Sequence, residues 1–324
     1  MALIKSAFAF VWVPAFLWMS PLDARGADVR GYSVLKGLFQ IQTDTNTLEV
    51  DPDFGYTLLA SVDLTDFDLV TDASLRLPGD RVEAMDDLGD FWAFMDSRST
   101  FLSLNTAFGW GTYTFDFTTV NEGSFTCALT FPTTPLPPTP QLLNFSAVQE
   151  VNPSQPLRLE WDFSAAPRPS DFVQVYINHG HDEIFSTPDL DQPGALDGTA
   201  RSLTLPAGTL APGQVYSLNL EITRVVSTNA ASYPGAPGVA GTFNSTALTI
   251  GTLVLPSLRL PAPPTNGTLS VEVWGAPDKT VVLQGTDDWK EWRNLATNSS
   301  SSGTNLFVTP VGNETARIFR VWQP

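Results

Sequence analysis

The sequence holds one cysteine, Cys127, and two histidines, His179 and His181, among 324 residues. A single thiol builds no internal disulfide framework, and two imidazoles without cysteine partners exclude a His/Cys-rich zinc site. Bases are scarce as well, 17 Lys and Arg against 34 Asp and Glu, for a formal net charge of −17. A field of that sign repels phosphate backbones and anionic bilayers, which argues against nucleic acid and anionic membrane surfaces as partners. Long apolar runs are missing too. The stretch from Ala7 to Met19 is broken by Pro14 and falls well short of the roughly 20 apolar residues that span a bilayer. No run has a real 3.6-residue apolar period, which argues against helical bundles. Neither a Gly-x-Ser-x-Gly elbow nor a His-Glu-x-x-His motif occurs.

What is present is a chain 43% hydrophobic, with 26 Pro and 23 Gly, a balance that suits turn-rich β structure. Residues 1–26 read as a secretory signal: Lys5 supplies the positive start, Ala7 to Met19 the apolar run, and the small residues Ala24 and Gly26 the cleavage site. Cleavage near Gly26 would leave a soluble, secreted or extracytoplasmic chain with no transmembrane segment. Two Pro-rich stretches divide it. Residues 132–140 (Pro-Thr-Thr-Pro-Leu-Pro-Pro-Thr-Pro) read as a semi-rigid polyproline spacer, and Leu260 to Gly267 as a second linker or a loop. Three pieces follow: an acidic N-terminal sandwich at 28–131, a second sandwich at 141–251, and a small C-terminal β domain at 252–324. Their charges differ, with 17 acids and 5 bases in 28–131, and 6 of each in 252–324.

Alternating apolar positions dominate all three pieces, as in Tyr56, Leu58, Ala60, Val62 and Leu64, or Tyr113, Phe115 and Phe117. Asp/Gly turns such as Pro78-Gly79-Asp80 separate them. The expected class is all-β, with tandem antiparallel β-sandwich domains plus a small C-terminal β module.

The middle piece resembles a fibronectin type III or immunoglobulin-like sandwich. Leu157, Leu159 and Trp161 match that family's early strand with its buried Trp, and Leu210-Ala211-Pro212-Gly213-Gln214-Val215-Tyr216 resembles its tyrosine corner, with Tyr216 aimed by a Pro-Gly turn. Val282 to Trp289, Trp292, Leu295 to Asn298 and Ile318 to Val321 resemble a short β module that ends large secreted bacterial proteins. That resemblance implies location and modularity, without chemistry.

Candidate sites are few. Asp63, Asp66 and Asp68, with Asp86, Asp87 and Asp90, form the densest acidic stretch; they read as solvated turns or as oxygen ligands for a calcium ion. Asn178-His179-Gly180-His181-Asp182-Glu183 is a turn between two strands, or a pair of imidazoles and carboxylates for a borderline cation. Trp110 stands between Gly109 and Gly111 at an expected loop tip, either folded back over its own sandwich or exposed to stack on a sugar ring. Cys127 alternates with Phe125, Leu129 and Phe131 and is expected to face inward as a small hydrophobe. Five Asn-x-Ser/Thr sequons occur, at Asn144, Asn244, Asn266, Asn298 and Asn313. The expected function is non-enzymatic: adhesion, display or scaffolding at a cell surface, with a protein or glycan ligand. A glycan-binding module is the alternative, and a carboxylate-dependent glycoside hydrolase a more distant one.

Overall fold

The computed structural model describes residues 27–190, 192–233, 236–254, 256–261, 268–276, 278–286, 290–310 and 318–323. The expected signal at 1–26, most of the second Pro-rich stretch, Asn266, Asn313 and Asp287 to Trp289 lie outside them. The chain is all-β. In order, the first strands are β1 (Val29–Gln42), β2 (Leu48–Val50), β3 (Tyr56–Leu64), β4 (Val70–Arg76), β5 (Val82–Ala84), β6 (Asp86–Asp87) and β7 (Phe91–Arg98). A short helix α1 (Phe101–Ala107) precedes β8 (Gly111–Thr119), β9 (Gly123–Phe131), β10 (Pro140–Leu142) and β11 (Leu157–Phe163). Then come β12 (Phe172–His179), β13 (Asp182–Ser186), β14 (Leu196–Asp197), β15 (Ser202–Leu205), β16 (Val215–Asn229) and β17 (Gly238–Gly251). The last are β18 (Ser257–Arg259), β19 (Thr268–Trp274), β20 (Thr280–Thr286), β21 (Arg293–Ser299), β22 (Thr304–Pro310) and β23 (Ile318–Trp322).

Two compact units result, one from residues up to 146 with 158–204 and 216–249, the other from 147–157, 205–215 and 250 onward. The first is built on a ten-stranded sheet, β13-β12-β16-β17-β1-β3-β7-β6, with β14 beside β12 and β2 beside β1. This sheet runs straight through the boundary expected at 132–140. β1 pairs in parallel with β17, from Tyr32 opposite Gly238 to Ile41 opposite Ala247, so residues 28–131 and 141–251 are not two separate sandwiches. Close approach at this seam depends on glycine: a Cβ on Gly37 would lie 2.3 Å from the Phe243 ring, and one on Gly238 would lie 2.2 Å from Tyr32.

Strand alternation gives this sheet two buried faces. On one, Tyr32 and Val34 of β1 and Leu58, Ala60 and Val62 of β3 meet Leu75, Tyr113, Phe115, Leu129 and Phe131 of the four-stranded sheet β5-β4-β8-β9. On the other, Leu35, Leu59, Val239 and Phe243 form a second cluster with Phe172, onto which Leu190 and Ala195 pack. At roughly 25 cal/mol per Å2 of apolar surface removed from water, such two-sided burial is the main stabilising term.

The Pro-rich segment is no spacer. It lies against β17, where Thr242, Asn244 and Thr246, alternate residues on one face, donate to the carbonyls of Pro135 (3.3 Å), Pro137 (2.5 Å) and Pro140 (2.6 Å). Proline has no N–H with which to join a sheet ladder, but its carbonyl accepts freely, so side chains supply the ladder instead. Asn244, one of the sequons, is thereby interior, 4% exposed. We expect thermolysin under native conditions to leave 132–140 uncut, because the segment is held along its length; release of a folded first half would contradict the shared sheet.

The second unit centres on two three-stranded sheets, β18-β19-β22 and β21-β20-β23. Leu269, Val271, Val273, Val281, Leu283 and Phe307 make its core. It also takes in 147–157 and 205–215, tied by a parallel bridge from Val151 to Thr252 and by Gly208 donating to the Pro153 carbonyl. The expected domain at 141–251 is therefore shared between the two units.

Candidate functional site

Trp110 follows α1, whose N-cap Thr100 accepts from the Ser103 backbone and whose last turn closes with Phe108 donating to Leu104. The indole is half-buried and belongs to the core of the first unit. Its edge contacts are Phe101 and Phe131, with ring centroids 6.2 and 5.1 Å away. One face is taken by Lys36, whose Nζ lies 3.9 Å from the ring centroid. The indole is folded over its own sandwich edge, the first of the two alternatives, with the Lys36 cation of β1 beneath it.

Lys36 carries no sequence motif, yet it is the most unusual group here. It is fully buried, and its ammonium donates to the carbonyls of Phe108 (2.5 Å) and Gly109 (3.0 Å) and to Asn105 Oδ1 (3.3 Å). Burial pulls its pKa down to about 7, while three oxygens and an aromatic face favour the charged form. The amine is sealed from solvent and finishes the C-terminal end of α1. A lysine among the alternating residues Tyr32, Val34 and Leu38 was the available signal. Arg224 carries the same signal, following Leu218, Leu220 and Ile222 on one face of β16. It is 7% exposed and grips Asp171 in two bonds, Nε to Oδ1 at 2.8 Å and a terminal nitrogen to Oδ2 at 2.7 Å.

The six candidate acids do not come together as one ion site. Asp63 faces inward and accepts from Ser61 Oγ (3.1 Å), itself 3.0 Å from Ser33 Oγ. Burial pushes its carboxyl up to about 7. Asp66, Asp68, Asp86, Asp87 and Asp90 are exposed. Asp66 accepts from Phe67 N–H and Asp87 from Gly89 N–H, so both carboxylates turn back to their own loops. The loops themselves meet, through Asp68 N–H to Gly89 and Leu64 N–H to Asp90, leaving Phe67 and Leu88 exposed among the acids. Among the described residues, no group of three or more His, Cys, Asp or Glu is placed to hold a metal ion.

His179 and His181 flank Gly180, whose positive φ of 62° closes the two-residue turn between β12 and β13. Both are exposed, and the His179 ring lies 5.4 Å from Tyr216. Tyr216 is buried. Trp161 is buried with its Nε1 donating to the Ala200 carbonyl at 3.0 Å. Cys127 is buried, and burial pushes its thiol up to about 11, which makes it inert. A further acid has no motif to mark it: Glu221, 3% exposed, lies opposite Gln174 on β12, accepts from Thr223 Oγ1 at 3.1 Å, and is raised by burial to about 8.

The chain matches no protein-family model, and no curated protein matches it in sequence. Among solved structures it is similar to the FN1–FN3 domains of chicken CNTN1, at 6% identity over 88% of this chain and 99% of that one, with a TM-score of 0.21. The D1–D4 ectodomain fragment of ICAM-5 gives 16% identity over 82% and 72%, with a TM-score of 0.24. The fibronectin(III)-like modules of Clostridium thermocellum CbhA give 11% over 68% and 94%, with 0.19. Likeness at such TM-scores carries no argument, and the functional reading stands on this chain's own geometry.

Proposed function

We propose that this is an exported, non-enzymatic protein that serves in adhesion, display or scaffolding outside the cytoplasm. The observation that carries the reading is the continuous ten-stranded sheet with its docked Pro-rich strip. A slab of this kind holds its ends at fixed separation, and buried polar groups such as Lys36, Asp171 and Arg224 bond within its unit. Export rests on the signal read at residues 1–26. Just after the expected cleavage point, the Asp28 carboxylate accepts from Asn121 N–H and Nδ2, both at 2.7 Å, and Asp28 N–H donates to Glu122. No helix among the described residues is long and apolar enough to cross a membrane.

Beads coated with residues 27–324 are expected to attach to the surface of the cells that make the protein, and free chain should compete that attachment away. On a glycan array the same chain should show no retention, and Trp110→Ala should cost stability alone, because the Lys36 ammonium already occupies one indole face. Saturable glycan retention lost in folded Trp110→Ala would overturn the reading in favour of a glycan-binding module. Glycoside turnover lost on a carboxylate-to-amide substitution would overturn it in favour of a hydrolase.

A further inference from the structure

Strand β22 is the end strand of the sheet β18-β19-β22 among the described residues. An end strand turns every second N–H and C=O away from its own sheet, and soluble proteins ordinarily blunt such an edge with charge, a bulge or a cover. β22 carries no charged residue, and its one proline, which can also blunt an edge, stands at the last position of the strand: it reads Thr-Asn-Leu-Phe-Val-Thr-Pro. Asn305, Phe307 and Thr309 face the core, while Leu306 and Val308 are 62% and 63% exposed. On that outer face Thr304 lies opposite Trp274 of β19, itself 44% exposed.

Charge argues for what covers this edge. Residues 28–131 carry 17 acids against 5 bases, whereas 252–324 carry 6 of each. A second copy is repelled by the acidic piece and meets no net repulsion here. The register argues the same way. In an antiparallel pair about a two-fold axis at Phe307, Leu306 of one copy stands opposite Val308 of the other, twice over, and all four aliphatics share one face. Moving the axis by half a residue would turn the second copy's Phe307 to the solvent side. The inner face gains as well. Asn305 Oδ1 is buried and accepts no hydrogen bond from the described residues, and the same axis sets the second copy's Thr309, a hydroxyl donor, directly opposite.

We propose that the protein self-associates through β22, two copies pairing antiparallel about Phe307 to make one sheet of six strands across the interface.

Light scattering behind size exclusion, over a concentration series of residues 27–324, should show a monomer converting to a dimer. The doubly substituted Leu306→Lys, Val308→Lys chain should remain monomeric with an unchanged circular-dichroism spectrum and melting temperature at low concentration. Register is read by oxidation. Leu306→Cys with Val308→Cys should give a covalent dimer in high yield, Leu306→Cys alone should not, and the parent chain, whose Cys127 is buried, is the blank. A chain monomeric at every concentration overturns the proposal, as does a dimer that survives both lysines. Efficient cross-linking by Leu306→Cys alone overturns the register.

Discussion

Exchanging Asp171 for alanine is expected to destabilise the first unit by about 4 kcal/mol, because it leaves the Arg224 guanidinium buried without its counter-charge. The pair is bidentate, with both partners buried and Asp171 also accepting from Arg168 N–H at 2.8 Å. Three elements therefore meet at one carboxylate: β16, the turn before β12, and, through Arg224 to the Pro135 carbonyl at 3.4 Å, the Pro-rich strip. Chemical denaturation of the single variant should show a much lower midpoint. Replacing both partners, Asp171→Ala with Arg224→Met, should restore a large part of the loss, since two apolar groups leave no stranded charge. A single variant within about 1 kcal/mol of the parent would mean that the guanidinium finds another partner.

Stability is expected to fall as pH rises from 5 to 7. Glu221 and Asp63 both have carboxyls raised by burial, to about 8 and about 7 from ordinary values of 4.5 and 3.8. In the folded chain each keeps its proton after the unfolded chain has lost it. The stabilisation is complete below the unfolded pKa, near 4, and is lost as pH climbs to the folded values. Each retained proton changes stability by about 1.4 kcal/mol per pH unit, so two of them across this window are worth on the order of 5 kcal/mol. Thermal or urea denaturation at a series of pH values, at constant ionic strength, reads the slope. Glu221→Gln, which keeps the shape and removes the titration, should roughly halve it. A flat profile from pH 5 to 7 would show both carboxyls ionised in the folded state.

Strand alternation made the all-β class legible, because an inward Leu, Phe or Tyr every second residue is the pattern of a half-buried strand and of little else. It placed Cys127 and Trp161 inside as well. Lys36 and Arg224 were written in the same alternation, as bases among apolar residues, and a stricter reading would have flagged both as buried and partnered. Other features had no local signature. Proline content shows that 132–140 cannot donate to a sheet, but not that Thr242, Asn244 and Thr246 stand ready to donate to it. Acid density in 63–90 drew attention to six aspartates, yet side-chain direction separates Asp63 from the rest. Glycines beside Trp110 left its ring either exposed or folded back, and only the arrival of β1 beneath the ring decides between the two. The pairing of β1 with β17 links segments at opposite ends of the first unit, which neither composition nor spacing reports.

That parallel seam also fixes an order of events. During synthesis β1 emerges first and finds β3 soon after, but its other edge waits until Gly238 and its successors exist. Contacts of such sequence separation close slowly, since loop entropy is lost before they form. Until then an apolar strand edge bearing Leu35 and Phe39 stands open, as aggregation-prone intermediates do. Completion of the first half is timed by translation of the second, and a chain cut short before Gly238 keeps that edge permanently unpaired.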